Sequence, residues 1–325
     1  MSRPIKCSNC TISISQKESF VLLSFFYDFK NSAIKYTSND IKVLHSKCNF
    51  NNNTSTSNGG SVYFNCKSSF VQYKICSLSS QTTISDSSGG HHSFSNCRDS
   101  NNLNFIYDSS IYLCGNDKTR KNVVEFYGNT SIRSTNFSKC TAEYQSSYCL
   151  YPSTEASVSF CTMENSTCKQ SEVLGHFNYK THYLSYCNIL NNEVAGKDQG
   201  IISCNGIITI ENCSIFGNKG PSEFRVFYKW GSPSASITVK NCNVQSSPSI
   251  PNDISTDNIK IEEIYLNLTL FSTSHCDERI YIEIYNETFD HDYIKLIRFL
   301  AATLSSCLWT DCLATDEDIP RVSPS

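Results

Sequence analysis

Apolar and polar residues alternate along this chain in stretches of only four or five positions, as in "IITIE" at 207–211 and "SITVK" at 236–240. Alternation with a period of two over so short a length points one face of a strand inward and the other outward. Between these pieces stand Asn, Ser, Gly and Asp, which favour turns over helix interiors. The pieces themselves recur. "EASVSFCTMENSTC", "THYLSYCNILNNEV" and "IITIENCSIFGNKG" each give a strand, a cysteine, a second short strand and a polar turn, and Cys161, Cys187 and Cys213 fall 26 residues apart. Cys242 takes the same place in the next row.

Earlier rows keep this order with a looser period of about 24 to 32 residues: "GGSVYFNCKSSFVQYKICSLSS", "GGHHSFSNCRDSNNLNFIYDSSIYLCG" and "NVVEFYGNTSIRSTNFSKCTAEYQ". Self-similarity at this period, with several strands and no helix per repeat, predicts an all-β solenoid: a right-handed, single-stranded parallel β-helix. Coils then stack at the strand spacing of about 4.8 Å, so like residues face one another from coil to coil. Row alignment places Phe64, Phe94, Phe126, Phe177 and Cys204 in one buried column and turns Ile210 to the core.

A solenoid leaves an open strand edge at each end, and such edges need covering. The expected division is therefore an N-terminal cap with the first coil over 1–47, repeats over 48–250, a C-terminal cap over 251–309 and a flexible tail over 310–325. Within the C-terminal cap, Ile294, Ile297, Leu300, Ala301 and Leu304 have the spacing of a short helix.

Composition narrows the function. The 325 residues carry 27 basic and 30 acidic side chains with no basic cluster, so no nucleic-acid partner is expected. The start lacks the continuous apolar segment of a signal peptide, and "LIRFLAATLSSCLW" is too short to span a bilayer and holds Arg298. No membrane span is expected, and a monomer is. Eighteen cysteines leave the redox compartment open. For the Cys161, Cys187, Cys213 and Cys242 column, packing of small free thiols is the leading reading. Disulfides between coils and a metal site are the others.

Motifs for chemistry are sparse. Converging carboxylates would mark a polysaccharide-cleaving enzyme, but Glu143, Glu155, Glu164, Glu172, Glu193 and Glu211 fall at scattered repeat positions. The acidic pairs Glu262 with Glu263, Asp277 with Glu278 and Asp290 with Asp292 read as solvated turns. Cys7 and Cys10 have zinc-knuckle spacing, yet His45 and Cys48 are too distant in sequence to complete a usual finger. His91 and His92 read as turn or surface residues. No catalytic, cofactor-binding or metal-ligating residue is assigned, and no cofactor is expected. Tyr144, Tyr148, Tyr179, Tyr183 and Trp230 are the aromatic candidates for a recognition face.

At 50–62 the chain reads "FNNNTSTSNGGSV", an F-x-x-N followed by G-G-small-V, with echoes in "FSNC", "FSKC", "ILNN" and "IFGN". This resembles the repeats of chlamydial polymorphic outer-membrane proteins and of Cys-rich surface proteins of trichomonad protozoa. The resemblance covers roughly residues 20–250. It implies a pectin-lyase-like β-helix, a surface or secreted location, and adhesion to a host or cell-surface protein or glycan. The motif residues in that family serve the fold. Two functions are thus expected in order: a non-catalytic interaction protein, then a carbohydrate-active enzyme on the same fold.

Overall fold

Each coil is made the same way, as the one beginning at Val62 shows. Strand Val62–Asn65 leads through a turn to Phe70–Tyr73, a tight corner leads to Cys76–Leu78, and a second corner leads to the short Gln81–Thr82. Every strand pairs in parallel with its counterparts one coil away. Repetition gives three long sheets: a nine-stranded sheet through Val62–Asn65 (sheet I), and ten-stranded sheets through Phe70–Tyr73 (sheet II) and Cys76–Leu78 (sheet III). The protein is a parallel β-solenoid of about eight turns, seen in a computed structural model. The structure describes residues 41–270 except 85–88, 119–120, 197–199, 223, 232 and 247–249, together with 5–6, 12–14, 18–22, 25–30 and 32–36. The short helix expected near Ile294 and the tail lie outside the described residues. Among the described residues no helix is long and apolar enough to cross a membrane.

The corners explain the cysteines. Between sheets II and III one residue per coil takes the left-handed conformation: Lys74, Asp108, Ser134, Phe160, Tyr186 and Asn212 all have φ between 47° and 54°. For a side chain other than glycine this costs about 1–2 kcal/mol. The kink also turns the next residue's N–H away from the strand ladder and into the core, where an unpaired donor would be expensive. That next residue is Ile75, Ser109, Thr135, Cys161, Cys187, Cys213 or Cys242, and at Ser109, Cys187, Cys213 and Cys242 its side chain supplies the missing acceptor one coil back. Cys161 N–H donates to Cys187 Sγ (3.4 Å), Cys187 N–H to Cys213 Sγ (3.4 Å), Cys213 N–H to Cys242 Sγ (3.3 Å) and Ile75 N–H to Ser109 Oγ (3.1 Å). Each thiol or hydroxyl gives its own proton to the carbonyl two residues back, as Cys161 does to Ser159 (3.1 Å) and Thr135 to Arg133 (2.9 Å).

A second column repeats this chemistry at the corner after sheet III, where Asn52, Ser79, Leu113, Lys139 and Asn165 are left-handed. There Asn192 Oδ1 accepts from Ser166 N–H and Asn218 Oδ1 from Asn192 N–H, both at 3.0 Å, and Asn192 Nδ2 reaches Asn218 Oδ1 at 3.1 Å. Asn192 and Asn218 thus form an amide ladder, and in an earlier coil Asn53 Oδ1 accepts from Phe29 N–H in the same way. Twelve described cysteines are buried free thiols, while Cys76 is disulfide-bonded. Burial pushes the Cys187 thiol well above its ordinary range, so it stays protonated and able to donate.

Row alignment by sequence is off by one residue in sheet I. The inward column runs Phe64, Ser95, Glu125, Leu150, His176, Cys204. Phe94 and Phe126 belong to the outer face, and Phe177 stands just past its strand. Tyr63 stacks on Phe94 at 5.4 Å, Phe126 on Tyr151 at 4.5 Å, and Tyr151 packs on Phe177 at 5.3 Å between ring centroids. Phe94 and Phe177 are buried by ring neighbours, Phe126 only partly. The cause is a register shift in "GGHHSF" between Gly90 and Ser93, since one extra residue sends every following side chain to the other face. Ile210 is inward and fully buried, as expected.

His91 and His92 are buried, against the expectation of surface histidines. His91 Nδ1 accepts from Thr82 N–H at 3.0 Å, and His92 Nε2 bonds Gln72 Oε1 at 3.0 Å. The two glycines of "NGGSV" do different work. Gly59 has φ of 78°, whereas Gly60 is required because a Cβ there would lie 2.0 Å from the His91 carbonyl.

Candidate functional site

The outer face of sheet I carries a cleft of about 530 Å³ between the coil of Lys121 and that of Trp230. Its floor comes from the strands Lys121–Phe126 and Gln145–Tyr151, which pair so that Lys121 lies beside Gln145 and Phe126 beside Tyr151. Its walls come from segments that follow or precede strands: Tyr144, Ser171 and Glu172, Phe177 and Tyr179, Asn205, and Trp230 with Gly231. The ring ladder of the outer face ends here, at Tyr151 and Phe177.

Lys121 is held against the floor. Its ammonium donates to Tyr151 Oη at 3.2 Å and stands 5.0 Å from the Tyr151 ring centre and 5.9 Å from that of Phe126. Glu172 is fully buried, and its two carboxyl oxygens accept from Gln145 Nε2 and Ser171 Oγ. Burial raises its pKa, while the hydrogen bonds from Ser171 and Gln145 and the Lys121 charge oppose the rise. Below the floor, burial lifts the Cys149 thiol to about 11, which leaves it a poor nucleophile at neutral pH. Gln145 spends its amide nitrogen on Glu172, and its buried Oε1 has no partner.

The rim is aromatic and strained. Asn178 and Tyr179 are consecutive left-handed residues, φ 79° and 55°, in a turn that an earlier coil builds as Tyr127 and Gly128. Tyr179 N–H donates to Asn205 Oδ1 at 3.1 Å, which fixes the turn and leaves the Tyr179 ring 68% exposed. Strain of this kind gathers where a side chain must be presented. Across the cleft Trp230 is 39% exposed and meets Tyr228 edge-on at 5.7 Å.

Of the five aromatic candidates, Tyr144, Tyr179 and Trp230 meet in this cleft. Tyr183 lies exposed on sheet II, and Tyr148 is a core residue, since a second register shift, with one extra residue between Gln145 and Tyr148, turns it inward. His45 and Cys48 do not form a ligand pair: His45 Nε2 bonds Tyr36 Oη at 2.5 Å, while Cys48 donates to its own corner carbonyl at Ser46. Cys7, Cys10, Asp290, His291 and Asp292 lie outside the described residues. Among the described residues no three His, Cys, Asp or Glu side chains converge as metal ligands.

Sequence reasoning missed Lys121 and Gln145, each at the start of a strand with nothing nearby to mark it. It also passed over Glu125, whose position two residues after Val123 in "NVVEF" was the available signal. The chain matches no protein-family model, no curated protein and no solved structure.

Proposed function

We propose that this chain is a non-catalytic recognition solenoid, of the surface-display or adhesive kind that its repeats resemble, with the aromatic cleft on sheet I as its recognition site. One observation carries this reading. Among the described residues lining the cleft Glu172 is the one carboxylate, and both of its oxygens are engaged by neighbours. Hydrolysis of a glycosidic bond commonly uses two carboxylates about 5–9.5 Å apart, one to protonate the leaving group and one to attack or activate water. Lys121, the only basic group among the described residues lining the cleft, donates to Tyr151.

Exposed rings over a rigid sheet suit binding, because two-angle side chains lose little entropy when a partner arrives. Incubation with a panel of plant, bacterial and animal polysaccharides is expected to release neither reducing ends nor unsaturated uronates. Product that grows with protein concentration and disappears in Glu172→Gln would establish the enzyme instead.

A further inference from the structure

We propose that the disulfide at Cys76 is closed by Cys276, and that it clasps the C-terminal segment along the outer face of sheet III. Cys76 points outward there, since its neighbour Ser77 stands in the inward row with Phe50 and Ile111. It is nevertheless fully buried, and it is not among the twelve described free thiols. Something that carries a cysteine therefore lies over it. Ser110 and Asn49, beside it on the same outward row, are buried as well, and both hold partners outside the described residues. Farther along that row Asn188 and Ser214 are buried for a visible reason. Leu266 bonds both ways to the Asn188 side chain, and Ser214 Oγ donates to the Ile264 carbonyl.

The course of the crossing segment leads to Cys276. From Ser214 to Asn188 it advances two residues per coil, running back toward the N-terminal coils. Four coils separate Asn188 from Cys76, and five separate it from Asn49. The same pace brings residue 274 to Cys76 and residue 276 to the coil just beyond, about 4.8 Å away. A disulfide spans roughly 4.4–6.8 Å between Cα atoms, so Cys276 comes within reach. The N-terminal cysteines do not. Lys6, the residue before Cys7, lies three strands from Leu78, roughly 14 Å. Cys10 precedes Ile12 by two residues, and Ile12 pairs in sheet I, on another side of the solenoid. Closing the bond takes two electrons and two protons from the two thiols; glutathione disulfide accepts them by thiol exchange and leaves as two glutathione thiols. The clasp closes sheet III to partners and leaves sheets I and II open, a consequence independent of the recognition reading above.

The test is a linkage map of the full chain, incubated with glutathione disulfide, unfolded in N-ethylmaleimide, digested without reductant and read by mass spectrometry. The expected result is one linked pair joining the peptides of Cys76 and Cys276, with Cys161, Cys187, Cys213 and Cys242 alkylated. Cys76 alkylated, or linked to Cys307, Cys312 or any other cysteine, would overturn the assignment. Hydrogen exchange followed by NMR reads the clasp itself. The Leu266 amide, which donates to Asn188 Oδ1 at 3.0 Å, is expected to exchange tenfold faster or more in Cys276→Ser, while the Ile208 and Ile210 amides of sheet II keep their rates. Equal exchange at Leu266 in the two chains would show that the bond clasps nothing.

Discussion

Lowering the pH from 7 to 5 is expected to cost the fold several kcal/mol. Four histidines inside the coils are held neutral. Burial lowers the pKa of His45 to about 3, with His92 adding to the effect; it lowers His92 to about 3 and His182 to about 4, and holds His176 well below the ordinary range. Their hydrogen bonds show why. His182 Nε2 must donate to the Phe177 carbonyl at 3.0 Å, so in the neutral ring its Nδ1 accepts. His176 Nδ1, 3.1 Å away, then donates, its Nε2 accepts, and Tyr148 Oη donates to it at 3.0 Å. A proton added to either ring sets N–H against N–H or against O–H in a dry core.

The folded values lie below the unfolded value near 6.5, so stability is intact above about pH 6.5 and falls as the unfolded chain takes up protons that the folded chain refuses. Each histidine then loses about 2 kcal/mol by pH 5, or about 8 for the four, partly offset by Glu125, Glu172 and Asp108, whose burial-raised carboxyls act in the opposite sense. Urea titrations at pH 7.5, 6.5, 5.5 and 5.0 should show the midpoint dropping steeply below 6.5. A midpoint unchanged down to pH 5 would contradict the buried neutral network.

Glu125→Gln is expected to stabilise the protein by up to about 4 kcal/mol at pH 7.5 and to change nothing near pH 4. Glu125 faces inward between Ser95 and Leu150, and both of its oxygens are buried without a partner. Burial holds its carboxyl well above the usual range. The sign is opposite to that of the histidines. Stability is full below the unfolded value near 4.3 and declines as pH rises, because the unfolded chain releases a proton that the folded one keeps. Glutamine has the same shape and no proton to lose. A gain over the parent that grows from pH 4.5 to 7.5 is the expected result, and equal stability of the two chains at pH 7.5 would show that Glu125 is compensated.

The strand repeat was legible in the sequence because alternation and turn chemistry agree in every row from Glu155 to Val244. The strands of those rows keep one spacing, and the extra residues of the longer last row fall outside the strands, between Lys229 and Ser236. The parallel solenoid and the Cys161, Cys187, Cys213 and Cys242 column follow from that spacing. The facing of sheet I was not legible across "GGHHSF", since a single extra residue there leaves apolar content unchanged while exchanging inside for outside. Phe94 and Phe126 were misplaced for that reason, and Tyr148 by a second extra residue, between Gln145 and Tyr148.

The cleft was half legible. Trp230, Tyr179 and Tyr144 stand out as aromatics in polar surroundings, whereas Lys121 and Gln145 become neighbours only through strand pairing 24 residues apart in sequence. Segment 261–270, whose alternation within the expected C-terminal cap suggests further strands, forms no strand. It crosses sheet III instead, with Leu266 bonded both ways to the Asn188 side chain at 2.9 and 3.0 Å. The alternation in "IEEIYLNL" was real, and only the surface it packs on was hidden.

The measurement that bears most directly on how the coils are joined is the stability of Cys213→Thr against Cys213→Val. The two side chains have nearly the same shape, and Thr135 already occupies this column with its hydroxyl given to the Arg133 carbonyl. At position 213 the side chain accepts from the Cys187 N–H and donates to the Glu211 carbonyl. Threonine can keep both bonds, while valine leaves a buried N–H unpaired at a cost of about 1–3 kcal/mol. Packing alone would rank valine first, because it is the more apolar. Chemical denaturation at pH 7.5 is expected to rank threonine above valine by about 1–3 kcal/mol; valine equal to threonine or better would contradict the account.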